Sequence, residues 1–409
     1  MKIAEVFTRV VGPDVPVRFD AYDGSTAGPS DAPIRIDVRT PLAVSYIATS
    51  PGELGLARAY VTGQLDVHGD LYDALRALGD PRLGRLSLRE RAQIVRDLGP
   101  SILRPLPRPR EEVKLRGQRH SRGRDARAIA HHYDVSNRFY EMFLGPTMGY
   151  TCAVYPRPDA TLDEAQYEKF DLVARKLDLQ PGQRLLDVGC GFGGMVMHAA
   201  EHYGVTALGA TLSRRQAEWA QKAIAERGLT DRAEVRFLDY RDVPEASFDA
   251  VSSIGMTEHV GKGQLSSYFR FLRAKLRPEG RLLNHCITRP TTKSPARAGK
   301  FINRYVFPDG ELEAVGTIIS RMQDNGIEVR HEENLREHYA RTLQAWVANL
   351  DAHWDESVRE VGEGRARVWR LYMAASRLGF DRDHIELHQV LGVRTADNGS
   401  SGMPLRPTW

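Results

Sequence analysis

The pattern of apolar and polar positions changes character part-way along the chain. In the first hundred residues, VPVRFDAY (15–22) and APIRIDVRT (32–40) alternate apolar with polar residues and predict strands. SPGELGLARAYVTGQLDV (50–67) and DLYDALRAL (70–78) have the three-to-four-residue spacing that predicts helices. From RLLDVG (184–189) onward, short apolar runs alternate with amphipathic stretches. MVMHAAEHYG, SRRQAEWAQKAIAERGL and QLSSYFRFLRAKL predict helices, while VTALGAT, AEVRFLD, FDAVSSIG and RLLNHCIT predict strands. This alternation predicts an α/β fold with a parallel, doubly wound sheet. Two further helical stretches, HYARTLQAWVANLDAHW and GRARVWRLYMAASRLGF, precede a closing strand in HIELHQVLGV, and the tail from Thr395 reads as irregular.

With 409 residues the chain exceeds one typical core, so two domains are expected. The boundary falls in a Pro/Arg-rich stretch, giving a small α+β module at 1–103, a basic linker at 104–127 and a main domain at 128–409. At 42% hydrophobic and 27% charged, the composition is that of an ordinary globular protein. No apolar run is long enough to cross a bilayer, no secretory leader is read at the N-terminus, and three cysteines suit a reducing cytoplasm. The net charge of +4 is concentrated in the linker, which a polyanion or an anionic membrane would attract. No metal site is read from the sequence.

The first strand–helix turn is Asp187-Val188-Gly189-Cys190-Gly191-Phe192-Gly193-Gly194. Such a glycine run lets the backbone turn tightly against a ligand, and dinucleotide and adenosylmethionine binders share it. A nicotinamide enzyme carries an acid after the second strand, but Thr211-Leu212-Ser213 stands there. The acid follows the third strand instead, in Asp239-Tyr240-Arg241, where a carboxylate and an aromatic ring suit adenine. The pattern favours S-adenosylmethionine (SAM) over NAD. No Asn-Pro-Pro-Tyr-type motif of nucleic-acid methylation follows the fourth strand.

The segments YDVSNRFYEMFLGPTMGYTCAVY, LLDVGCGFGG, ATLSRRQ, SIGMTEHVG and HYARTL together resemble the cyclopropane fatty acid synthases, which include the mycolic acid cyclopropane synthases. GELGLARAYVTGQLDV is similar to that family's N-terminal module. The resemblance implies a class I SAM-methyltransferase sheet with a smaller lipid-binding module. It implies cofactor contacts from Tyr133, Ser136, Tyr150, Thr151, Asp187, Gly189, Cys190, Gly191, Thr211, Leu212, Ser213, Gln216, Asp239, Tyr240 and Arg241. It also implies a bicarbonate ion held by Cys152, Glu258, His285, Ile287 and Tyr339, with Cys152 and Ile287 acting through backbone groups. Phe139, Tyr140, Phe143, Phe301, Tyr305 and Phe307 are aromatic candidates to face a carbocation, although for most of them plain core packing is the favoured reading.

The expected partners are an anionic phospholipid membrane with unsaturated chains, met at its inner face from the cytoplasm, and a second copy of the chain. Nucleic acid is not an expected partner. Methyl transfer to the alkene leaves a cation; loss of a proton from the added methyl closes it to a cyclopropane or, after a hydride shift, gives a methylene product that a reductase partner would consume. Two departures from the family stand out. Ser376 occupies a position commonly held by cysteine, which favours bicarbonate over a thiolate as base, and Thr257 precedes the Glu-His pair where many relatives carry a bulkier residue.

Overall fold

The computed structural model describes residues 1–79, 87–113, 121–124 and 135–409, and within it the chain forms two compact units. The first gathers Met1–Lys114, Gly299–Val306 and Leu350–Leu378; the second gathers Leu115–Ala298, Phe307–Asn349 and Gly379–Trp409. Each unit is thus assembled from separate stretches of sequence rather than from one side of the 104–127 segment. Residues 104–113 of that segment belong to the first unit, where Arg58 and Arg304 both bond the buried carboxylate of Glu112. Residues 114–120 and 125–127 lie outside the described residues.

In the first unit, β1 (Arg18–Ala21), β2 (Thr26–Ala27), β3 (Arg35–Val38) and β4 (Leu65–His68) form a sheet in the order β2-β1-β3-β4. Alternation buries Phe19, Ile36 and Val38 on one face, as the polar/apolar pattern requires. The helical expectation over 50–67 is corrected at its end. The helix Glu53–Val61 stops, Gly63 takes a left-handed φ of +69°, and Leu65–His68 pairs with β3 as a strand. Glycine supplies the reversal, and the following L-D-V-H pattern alternates as a strand does.

The second unit holds β5 (Arg184–Val188), β6 (Thr206–Thr211), β7 (Ala233–Phe237), β8 (Phe248–Ile254), β9 (Leu276–Thr288), β10 (Glu328–Asn334) and β11 (Glu386–Val393). The sheet order is β10-β11-β9-β8-β5-β6-β7, with β7 through β9 parallel and β11 antiparallel to both its neighbours. Adjacent residues feed opposite cores: Leu185 packs with Val173, Val196 and Ile224 on one face, Leu186 with Phe269, Leu272 and Met322 on the other. Helices therefore cover both faces, which is the doubly wound α/β arrangement expected from the pattern.

The chain leaves β5 outward through β6 and β7, then returns to the other side of β5 as β8. Where the direction reverses, a crevice opens beyond the carboxyl ends of the strands. Register keeps those ends level, with Val188 opposite both Ala210 and Ser253, and Ile254 opposite His285. Among the described residues no helix is long and apolar enough to cross a membrane.

Candidate active site

Beyond Val188 the chain turns through the glycine run into the helix Gly194–Tyr203. Gly189, Gly191 and Gly193 have φ of +72°, +55° and +77°, a region that residues with a Cβ avoid. At Gly189 a Cβ would also meet Met256 Sδ at 2.8 Å. The N–H groups of Gly189 and Cys190 both donate to Ala210 O, at 2.9 and 3.0 Å, tying the loop to the end of β6. Just upstream, the buried Asp187 accepts from Ser252 Oγ at 2.6 Å, and burial raises its pKa to about 6.

At the end of β6, Thr211 Oγ1 bonds Gln216 Oε1 at 3.0 Å and accepts from Ser213 N at 3.2 Å. Ser213 caps the helix Arg214–Glu226 by accepting from Gln216 N at 3.4 Å, and Leu212 between them is half-buried. Past β7, Asp239 caps the short turn Tyr240–Asp242, accepting from Arg241 N at 3.0 Å and Arg241 Nε at 2.8 Å. Burial alone would push this carboxyl up, but the bonds from Arg241 outweigh it and hold the pKa below the usual range. The Tyr240 ring stands edge-on to Tyr268 and Phe271, 5.3 Å from each.

The segment from Tyr150 to Tyr155 runs beside the helix Arg336–Ala352. Ala153 N donates to Thr342 Oγ1 at 3.0 Å, and Tyr155 N to His338 Nδ1 at 2.9 Å. Cys152 is fully buried with its Sγ 3.8 Å from Leu335 O, and burial drives the thiol far above its ordinary pKa. A buried thiol so hard to ionise is no nucleophile. Tyr150 lies 5.3 Å from Trp346, whose ring is 6.1 Å from that of Tyr339; Tyr339 in turn packs on Phe380 at 4.6 Å. Phe139, Tyr140 and Phe143 join the same aromatic cluster, and Phe307 lies against His259 at 5.6 Å. Phe301 and Tyr305 belong to the first unit.

Sequence reasoning missed two residues here. In the helix Leu162–Leu177, Gln166 Nε2 bonds Gly149 O at 3.0 Å and Thr151 O at 2.9 Å, while Lys169 Nζ donates to Thr151 Oγ1 at 3.0 Å. Lys169 is buried, and desolvation brings its pKa to about 7. Its charge acts on Cys152, Asp187 and His285. The signal was a glutamine and a lysine set among Ala165, Phe170 and Val173 on the buried face of an otherwise amphipathic helix.

On the far side of β5, Glu258 sits in the helical turn Thr257–Val260 that follows β8. Its Oε1 accepts from Ile287 N at 2.7 Å, while Oε2 is buried with no hydrogen-bond partner. Burial raises this carboxyl to about 7. His285, two residues before Ile287 on β9, is buried; its Nδ1 lies 3.2 Å from Gln389 Nε2, and its Nε2 has no partner. Burial, reinforced by Lys169 and Lys176, drives its pKa well below normal, so the ring is neutral. The structure thus joins Glu258 to Ile287 directly, places His285 two residues before Ile287 on β9 with its ring bonded to Gln389, and relates Cys152 to the helix of Tyr339 through Leu335. Ser136 caps the helix Asn137–Leu144 without a side-chain bond; Tyr133 lies outside the described residues. Ser376, half-buried, falls in the first unit.

A glycine turn at the switch point with no acid after β6 suits SAM rather than a nicotinamide cofactor. A family model described as mycolic acid cyclopropane synthetase matches residues 120–390. The chain belongs to this family. It is 52% identical to a probable fatty acid methyltransferase of Mycobacterium tuberculosis, over 100% of this chain and 97% of that one. It is 34% identical to the cyclopropane-fatty-acyl-phospholipid synthase of Escherichia coli K12, over 66% of this chain and 68% of the relative. Among solved structures, the mycolic acid cyclopropane synthase CmaA1 complexed with SAH and CTAB is similar with a TM-score of 0.62 and 33% identity, covering 65% of this chain and 97% of that one. As a mycolic acid cyclopropane synthetase family member with this class I sheet, the chain is a SAM-dependent methyltransferase. The nicotinamide alternative is set aside with it.

Proposed function

We propose that this methyltransferase adds a one-carbon unit from SAM across the double bond of an unsaturated phospholipid acyl chain, giving a cyclopropane. The observation that carries the proposal is the pair of buried, unpartnered polar atoms Glu258 Oε2 and His285 Nε2 beside the cofactor crevice. Leaving such atoms unpaired costs about 1–3 kcal/mol each, a cost that a bound group accepting or donating there would offset.

SAM supplies an electrophilic methyl on a sulfonium. An alkene is a weak nucleophile, so the protein's task is to align the two and keep water from the resulting cation. In this reading Gly189–Gly191, Thr211, Ser213, Gln216 and the Asp239–Arg241 turn receive the cofactor, with Lys169 and Gln166 fixing Thr151 from behind. Tyr150, Trp346 and Tyr339 present aromatic faces that oppose a positive charge favourably. The proton leaves the added methyl in the last step, toward the polar cluster at Glu258.

The unpartnered Glu258 Oε2 and His285 Nε2 suit a small oxyanion such as bicarbonate, which when bound would supply the base. Glu258, at about 7, can hold a proton and donate it, and His285 is neutral with a free ring nitrogen. The N–H of Ile287 is already engaged by Glu258 Oε1, so its part is to orient that carboxyl. Omitting bicarbonate from degassed buffer is expected to lower turnover and adding it back to restore it; indifference to the ion would remove it from the site.

Membrane docking is proposed for the first unit, where Leu42 and Leu103 are exposed. Two arginines of the basic stretch, Arg122 and Arg124, are instead paired within the second unit, with Asp242 and Asp309. The methylene product stays as a second reading because the relative at 52% identity is described as a probable fatty acid methyltransferase rather than a cyclopropane synthase. Incubation with SAM and liposomes of oleoyl phospholipid, followed by gas chromatography–mass spectrometry and NMR of the hydrolysed fatty acids, decides between them. Cyclopropane proton signals are expected. Vinylidene signals would shift the assignment to the second reading, and unchanged acyl chains would refute both.

A further inference from the structure

Three residues form a row across three strands behind the site. Glu333 on β10 is paired with Gln389 on β11, and Gln389 with His285 on β9. Lys176, from the helix Leu162–Leu177, meets the row: its Nζ donates to Gln389 Oε1 at 2.8 Å and to the Glu333 carboxylate. Lys176, Gln389 and His285 are all buried, while Glu333 keeps one flank toward solvent.

The donor and acceptor roles in this row have one solution. An ammonium only donates, so the oxygen of the Gln389 amide faces Lys176 and the nitrogen faces His285. An amide N–H only donates, so His285 Nδ1, 3.2 Å away, accepts with its lone pair. A neutral imidazole carries one proton, which must then sit on Nε2. That nitrogen is the buried atom without a partner among the described residues. The Glu333 carboxylate, bonded directly to Lys176 Nζ, favours the ammonium that starts the chain.

We propose that Glu333, Lys176 and Gln389 are positioning residues that lock His285 in the Nε2–H tautomer, so that it presents a hydrogen-bond donor to the site and cannot serve there as the base. This rests on the function proposed above and divides its labour: His285 holds an acceptor such as an oxyanion, and proton removal falls to other groups. A histidine with Nε2 protonated has no lone pair there to take a methyl proton.

The test is nitrogen NMR of the full-length protein labelled in its histidine rings, with the His285 signal assigned by its loss in His285→Asn. The wild-type ring is expected to show a protonated Nε2 and an unprotonated Nδ1 across neutral pH. Gln389→Glu, nearly isosteric and still able to bond Lys176, is expected to draw the proton to Nδ1, with turnover falling roughly tenfold to a hundredfold while affinity for SAH stays within about twofold. A wild-type ring carrying its proton on Nδ1 overturns the relay, whatever the activity. A reversed tautomer with undiminished turnover upholds the relay and instead overturns the part given to His285 in the proposed function.

Discussion

The two sides of β5 are built on opposite terms. Toward β6 and β7, the polar groups of the crevice are bonded within the protein: the Gly189 and Cys190 amides to Ala210, Thr211 to Gln216, Ser213 to its helix, and Asp239 to Arg241. Toward β8 and β9, Glu258 Oε2 and His285 Nε2 are buried without partners, and both groups titrate far from their ordinary values. The first side is a cradle preformed by backbone geometry, ready before anything binds. The second keeps polar atoms unpaired, a stability cost that only a ligand or a transition state removes. On the proposed function, binding and reaction are thus separable, and variants on one side should leave the other nearly intact.

The largest expected effect comes from the reacting side. Glu258→Gln should lower turnover by about a hundredfold to ten-thousandfold, the usual range for disturbing general-base proton removal, here by unseating the oxyanion that Glu258 holds. Calorimetric titration with SAH should show its affinity nearly unchanged. A parallel loss of affinity would merge the two sides into one.

The same substitution sharpens the comparison through stability. Below about pH 4.5 the carboxyl is protonated in both folded and unfolded chains, and wild type and variant should be equally affected by pH. As pH rises from there through the folded value of about 7, only the folded protein holds the proton, and wild type loses stability. Above that, Glu258→Gln should be the more stable by on the order of 3 kcal/mol, the equivalent of the rise from 4.5 to about 7. Urea unfolding at several pH values measures this; a variant less stable at high pH would show that the carboxylate is stabilised by its surroundings.

On the binding side, Gly189→Ala forces a Cβ into a left-handed residue and against Met256 Sδ. About 1–3 kcal/mol of strain is expected, appearing as weaker SAH binding, with turnover recovering at saturating SAM. A fall in turnover that saturation does not repair would place Gly189 in the chemistry. The smallest effect is expected from Thr211→Val, which removes bonds to Gln216 and Ser213 and should cost about 1 kcal/mol in stability and a modest loss of SAH affinity. No change in either would show that the end of β6 contributes only its backbone.

The binding side was also the legible one. A glycine run directly after an apolar strand, and the absence of an acid after the next, are local signals, so β5, β6, β8 and β9 were read close to their observed positions. β10 was not singled out because EVRHEEN carries charges where a strand usually shows apolar residues. The helix Leu162–Leu177 gives no clear sequence signal, because Gln166, Lys169 and Lys176 are polar residues buried where sequence patterns expect solvent. On the reacting side no local spacing connects Glu258 with Ile287 or His285 with Gln389. Those contacts span 29 and 104 residues and exist only once the sheet has formed. Resemblance to a family united the candidates; hydrogen bonding then showed which of them touch.

The proposed reaction methylates an unsaturated acyl chain, and the added methyl then loses a proton to a base held at Glu258. Turnover of oleoyl phospholipid liposomes with SAM carrying a trideuterated methyl, read by mass spectrometry of the released fatty acids, tests it most directly. Wild type is expected to form a product heavier by one dideuterated methylene, nearly absent with Glu258→Gln. A product that retains the whole trideuterated methyl, or lipid that gains no label while SAH still binds, would contradict it.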